Sequence, residues 1–243
     1  MNNTKKKSPI SWVPTAYFAM GLPFVVLNMV TVLMFKGLEV DDKLITFWTS
    51  LILLPWTLKP LWSPFLELFR TKKFFVIVTQ LITGVTFGLV AFALNLSHFF
   101  SISIALLAIV AFSGATHDIA CDGVYMSELS NEDQAKFIGW QGAFYNIAKI
   151  LATGGLVYLA GYFIELNADA GLLTANKRAW MIILLILSVT MILLGIYHLF
   201  ALPSTQSASS RKTLRSNKEV MKELGQVLMD FFRKTHITYY ICF

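Results

Sequence analysis

An all-α polytopic membrane protein is the fold class this sequence predicts, and three observations predict it. Of its 243 residues, 56% are hydrophobic and only 14% are charged, which with a positive mean hydropathy lies outside the range of ordinary soluble domains. The apolar residues come in six runs, each about the 20 residues needed to cross a bilayer. The basic residues gather in every second connection between those runs.

The first run, Ser11 to Phe35, follows Lys5-Lys6-Lys7 and so mimics a signal peptide. It is too long for the apolar part of one and lacks a small-residue cleavage site, so it reads as the first span. The others are Leu44 to Leu66, Phe74 to Leu94, Phe99 to Met126, Phe137 to Ile164, and Ala179 to Leu202. Between the third and fourth runs only Asn95-Leu96-Ser97-His98 marks a break. Length decides it, because Phe74 to Thr116 carries no charge and is long enough for two spans.

With the N-terminus placed inside, fourteen of the 20 basic residues fall on the inner side and four on the outer. Lys59 and Lys149 fall within spans. The positive-inside rule therefore predicts a cytoplasmic N-terminus. That same placement argues against reading the net charge of +6 as a nucleic-acid footprint. Trp12, Trp48 and Trp180, near span ends, read as interface anchors, while Trp56, Trp62 and Trp140 are candidates to line a cavity. Five glycines of the fifth run, Gly139, Gly142, Gly154, Gly155 and Gly161, read as close-packing sites.

Beyond the sixth run the composition changes. Residues 1–10 form a tail, 11–202 the six-span bundle and 203–236 a basic linker. Within the linker, Val220, Met221, Leu224, Val227, Leu228, Phe231 and Phe232 recur at helical spacing. That pattern predicts an amphipathic helix lying on the membrane or against the bundle. Residues 237–243 begin another apolar run, too short to cross, and are expected to start a seventh span whose continuation would bring a second six-span half. Six spans, a long basic connection and a restart match the plan of twelve-span transporters.

Chemistry concentrates in the fourth run. Asp118 and Asp122 are four residues apart, which puts both carboxylates on one helical face. Each charge costs about 2.5–3.5 kcal/mol at the centre of a membrane helix. Two readings stand. One aspartate takes up and releases a proton beside a water-filled cavity, or both are fixed partners of Lys59 and Lys149 that lock helices together. His117, Gln141, Tyr145 and Asn146 are candidate cavity-lining groups. Pro55, Pro60 and Pro64 in the second run, with Pro14 and Pro23 in the first, predict bent helices. Two cysteines, Cys121 and Cys242, supply neither a disulfide framework nor a metal-ligand cluster. No cofactor is expected. Catalytic triads, phosphate-cradling loops and zinc spacings are missing from the sequence, so an enzyme is not the expectation.

Three stretches together resemble the AmpG-type muropeptide permeases of the major facilitator superfamily, a group that also resembles acetyl-coenzyme A transporters. They are Gly21-Leu22-Pro23, Leu58-Lys59-Pro60-Leu61-Trp62-Ser63-Pro64-Phe65-Leu66-Glu67, and Thr116-His117-Asp118-Ile119-Ala120-Cys121-Asp122-Gly123. The resemblance implies the first six-helix half of a carrier in the cell inner membrane, importing cell-wall glycopeptides by alternating access with the proton gradient. Its partners would be that solute, protons, lipid and the second half. The chain departs from the family in having His117 where a Gln is usual, and in Glu67 and Arg70 where an adjacent Asp-Arg pair is usual.

Overall fold

In a computed structural model the described residues are 7–63, 66 and 71–203, and their regular structure is entirely helical. Among the described residues six helices are long and apolar enough to span a membrane: α1 (Pro9–Gly37), α2 (Asp42–Leu61), α3 (Lys72–Ala93), α4 (Phe99–Glu128), α5 (Asn131–Leu166) and α6 (Leu172–Ala201). Glu67 and Arg70, the expected amphipathic helix and the expected start of a seventh span lie outside the described residues.

Local chemistry sets where the helices begin. The Asp41 carboxylate accepts the backbone N–H groups of Lys43 and Leu44 at 2.9 and 3.3 Å, opening α2. Thr71 caps α3 through the N–H of Phe74 at 3.2 Å, and Ser130 caps α5 through that of Asp133 at 3.1 Å. Each cap satisfies a donor that the first turn of a helix leaves unpaired. Capping at Ser130 starts the fifth helix six residues before the expected Phe137. The sixth starts at Leu172, directly after Gly171, whose φ of 84° lies in the region that glycine adopts without steric cost.

Proline and wide turns interrupt the long helices. Pro23 lies inside α1 and is followed by a π-helical turn, Val26–Val30. α2 is broken at Leu53, resumes with Pro55 in its first turn and ends in a 3₁₀ turn, Lys59–Leu61. α5 carries a second π-turn, Leu151–Leu156, which packs against that of α1. Both π-turns sit near mid-helix, where such insertions often accompany function.

α3 runs between α4 and α6, α1 packs along α5 and crosses α4, and α2 leans on α4 and on the distal end of α1. The closest approaches occur at small residues. A methyl group added at Gly21 would meet the carbonyl oxygen of Tyr145 at 2.8 Å, and one at Gly84 would meet Ile192 at 2.7 Å. The expected packing glycines are elsewhere: a methyl at Gly139, Gly142, Gly154 or Gly161 meets nothing within 4 Å, and at Gly155 only Leu151 of its own helix. α5 is the least enclosed helix, with 17% of its most apolar window buried against 67% for α1.

Two of the expected interface tryptophans also point elsewhere. Trp12 is fully buried, edge-on to Tyr125 with ring centroids 6.5 Å apart, and Trp180 is 4% exposed. Both sit near helix ends, but on the face that packs inward.

Candidate functional site

Each of the six helices sends at least one polar side chain into a single level of the bundle, nearer the end that carries Lys72 and Lys136. α1 contributes Thr15 and Tyr17, α2 Trp56 and Lys59, and α3 Gln80. α4 contributes His117, Asp118 and Asp122, α5 Gln141, and α6 His198. They sort into two hydrogen-bonded systems that meet at the consecutive residues His117 and Asp118.

The first system surrounds the carboxylates. Lys59 Nζ donates to Asp118 Oδ2 at 2.7 Å, and the Trp56 indole N–H donates to the same oxygen at 2.9 Å. Asp118 is 8% exposed, and its Oδ1 has no partner among the described residues. The indole reaches it across Gly114, where an added methyl would meet the Trp56 ring at 2.9 Å. One turn on, Asp122 is exposed and accepts the Tyr17 hydroxyl at 2.8 Å. Gln141 Nε2 in turn donates to Tyr17 at 2.7 Å. The chain Gln141–Tyr17–Asp122 thus ties α5 to α1 to α4.

The second system is enclosed. Thr15 and His198 Nε2 lie 2.9 Å apart, His198 Nδ1 and Gln80 Oε1 2.8 Å, and Gln80 Nε2 and His117 Nε2 2.9 Å. Gln80 and His198 are fully buried and His117 is 3% exposed. A single Gln side chain dictates the direction of the chain. Its amide nitrogen can only donate, so His117 Nε2 accepts; its oxygen can only accept, so His198 carries its proton on Nδ1. His198 Nε2 then accepts from the Thr15 hydroxyl. His117 is left with an Nδ1–H that has no acceptor among the described residues.

The pairing of Lys59 with an aspartate matches the expectation for that residue. Lys149 does not: it is exposed and makes no salt bridge among the described residues. Helical phase explains the difference. Gln141, Tyr145, Ala148 and Ala152 form the stripe of α5 that packs on α1, and Lys149, one turn from Tyr145 but about 100° round from Ala148, sits at the exposed edge of that stripe. His117, expected beside a cavity, is sealed in the enclosed system. Asn146 is exposed and donates to the Gly142 carbonyl of its own helix at 2.8 Å, while Tyr145 is half-buried beside Gly21.

Tyr17, Gln80, His198 and Thr15 were not singled out from the sequence as site residues, and Trp56 only as a candidate to line a cavity. Gln80 offered a signal, being strongly polar in the middle of an otherwise uncharged span. The rest are ordinary for membrane helices until the packing brings them together.

The arrangement holds one carboxylate closely paired with a cation and a second carboxylate, one turn away, reachable from outside the bundle. A hydroxyl and an amide orient the second. This geometry can exchange a proton at Asp122 while Asp118 keeps α2 and α4 together. No protein-family model, no curated protein and no solved structure matches this chain.

Proposed function

We propose that this chain forms the six-span first half of a proton-coupled secondary transporter of the major facilitator type, with its N-terminus in the cytoplasm. It would import a polar organic solute across the cell inner membrane by alternating access. The solute suggested by the sequence resemblance is a cell-wall muropeptide; a coenzyme A-linked or sugar solute is the alternative within the same class. One observation carries the reading: Asp122 is an accessible carboxylate on a membrane-length helix, held by Tyr17 rather than by a cation. A charge kept there is costly unless it borders water or titrates. In this mechanism Asp122 is the proton site. Lys59–Asp118 holds the kinked α2 against α4, and the π-turns of α1 and α5 allow those helices to bend.

Uptake of labelled anhydro-muropeptide by cells expressing the full-length chain tests this. Collapse of the proton gradient is expected to abolish accumulation. Asp122→Asn is expected to uncouple uptake from the gradient, whereas Asp118→Asn lowers the amount of folded protein. Accumulation that survives loss of the gradient, or wild-type coupled uptake by both variants, contradicts the reading.

A further inference from the structure

Lys149 occupies the midpoint of α5 (Asn131–Leu166), and the acids at the level of the site are already engaged, Asp118 by Lys59 and Asp122 by Tyr17. The remaining acids of the described residues lie in connections or in the terminal turns of helices. Lys149 is therefore a cation at the middle of a membrane-length helix, exposed and without a salt bridge among the described residues.

Small and polar residues flank it on α5, with Ile150 and Leu151 exposed beside them. Gly142, Asn146, Lys149 and Thr153 recur at helical spacing and make one stripe beside the stripe that packs on α1. A methyl at Gly142 meets nothing within 4 Å. Asn146 spends one N–H on the Gly142 carbonyl and has another to give. Thr153 donates to the Lys149 carbonyl at 2.8 Å, at the start of the π-turn Leu151–Leu156. The stripe thus offers one cation and one spare amide donor, and no carboxylate, above an open glycine floor. Gln141, two turns along the same helix, belongs to the Asp122 chain, so Lys149 stands about 12 Å along α5 from the residue that joins this helix to the proposed proton site.

We propose that Lys149 is the anion-binding group of the transport site, and that the solute is selected for a carboxylate seated on the Gly142–Asn146–Lys149 stripe. The proposal rests on the transport reading and narrows its substrate to an anion. Charge balance supports the pairing. A solute monoanion on Lys149 together with a proton on Asp122 leaves the net charge of the loaded bundle equal to that of the empty one. The bundle can then reorient in either state against the same electrostatic cost.

The test uses the purified full-length protein and two forms of one probe, an anhydro-muropeptide with free carboxylates and the same molecule with them amidated. The wild type is expected to bind the free acid about tenfold to a hundredfold tighter, the range of a charge-assisted hydrogen bond. Lys149→Gln is expected to remove that preference without changing affinity for the amide, and Lys149→Arg to keep most of it. Equal binding of both forms by the wild type, or failure to bind either, overturns the proposal. So does a Lys149→Gln variant that weakens both forms alike, which would mark Lys149 as half of a structural ion pair. Gradient-driven uptake of an uncharged solute, with no preference for the acid, sinks the anion assignment and leaves transport standing. Absence of gradient-driven uptake for every solute removes the transport reading itself, while the binding comparison still decides the role of Lys149.

Discussion

His117 and Asp118 are adjacent on α4, yet they belong to polar systems built in opposite ways. The histidine ends a chain of neutral groups, Thr15–His198–Gln80–His117, contributed by four helices and buried except at Thr15. The aspartate begins a charged cluster, Lys59–Asp118 with Asp122–Tyr17–Gln141, whose last carboxylate is open. A buried neutral chain whose direction is fixed by Gln80 favours a single arrangement, although it leaves the His117 Nδ1–H without an acceptor among the described residues. A partly open cluster with a spare carboxylate can change protonation without leaving an uncompensated charge inside. One level of the bundle therefore carries both a fastening for α1, α3, α4 and α6 and a site that can respond to its surroundings.

Substitutions sharpen that contrast, in descending order of expected effect. Lys59→Met leaves Asp118 charged, buried and unpaired, and is expected to cost about 3–5 kcal/mol, read as a fall in thermal stability in detergent. Adding Asp118→Leu is expected to recover most of the loss, because an apolar pair replaces a buried ion pair at little cost. Failure of the double variant to recover would mean the pair matters for more than its own charges. Gly114→Ala pushes a methyl onto the Trp56 ring and is expected to cost about 1–3 kcal/mol. Indole fluorescence would also shift as Trp56 leaves Asp118.

On the enclosed side, Gln80→Leu removes two bonds at once. Hydrogen bonds between membrane helices average about 0.6 kcal/mol and reach about 1.7, so the expected loss is about 1–3 kcal/mol, with no change in proton coupling. A coupling defect in Gln80→Leu would join the two systems into one. Asp122→Asn is expected to change stability by less than about 0.5 kcal/mol, since Tyr17 can still donate to the amide oxygen, while altering coupling most of all.

The charged half of this contrast was legible in the sequence because a carboxylate or lysine in an apolar run is conspicuous whatever the fold. Spacing placed Asp118 and Asp122 on one face, and the prolines around Lys59 marked a bent α2. The enclosed half was not legible. Thr15, Gln80 and His198 become a chain only when α3 settles between α4 and α6, and the order of helices around a bundle is not written in the periodicity of any one of them. Lys149 shows the same limit at finer scale. Depth alone suggested an aspartate partner, whereas the phase of Gln141, Tyr145 and Ala148 turns it aside. Trp12 and Trp180 likewise lie near helix ends, where interface anchors belong, but depth along an axis does not determine direction around it. The α5 glycines read as contact points, and all but Gly155 lie on exposed positions instead.

The most direct measurement is the water accessibility of position 122 in the full-length protein with every native cysteine except Cys121 replaced by Ser. Native Cys121 is fully buried and serves as the internal control. The account predicts that Asp122→Cys reacts within minutes with a membrane-impermeant thiol reagent while the background chain, with Cys121 alone, stays unlabelled. An unreactive cysteine at 122 would place that face of α4 in hydrocarbon or dry protein and contradict the account.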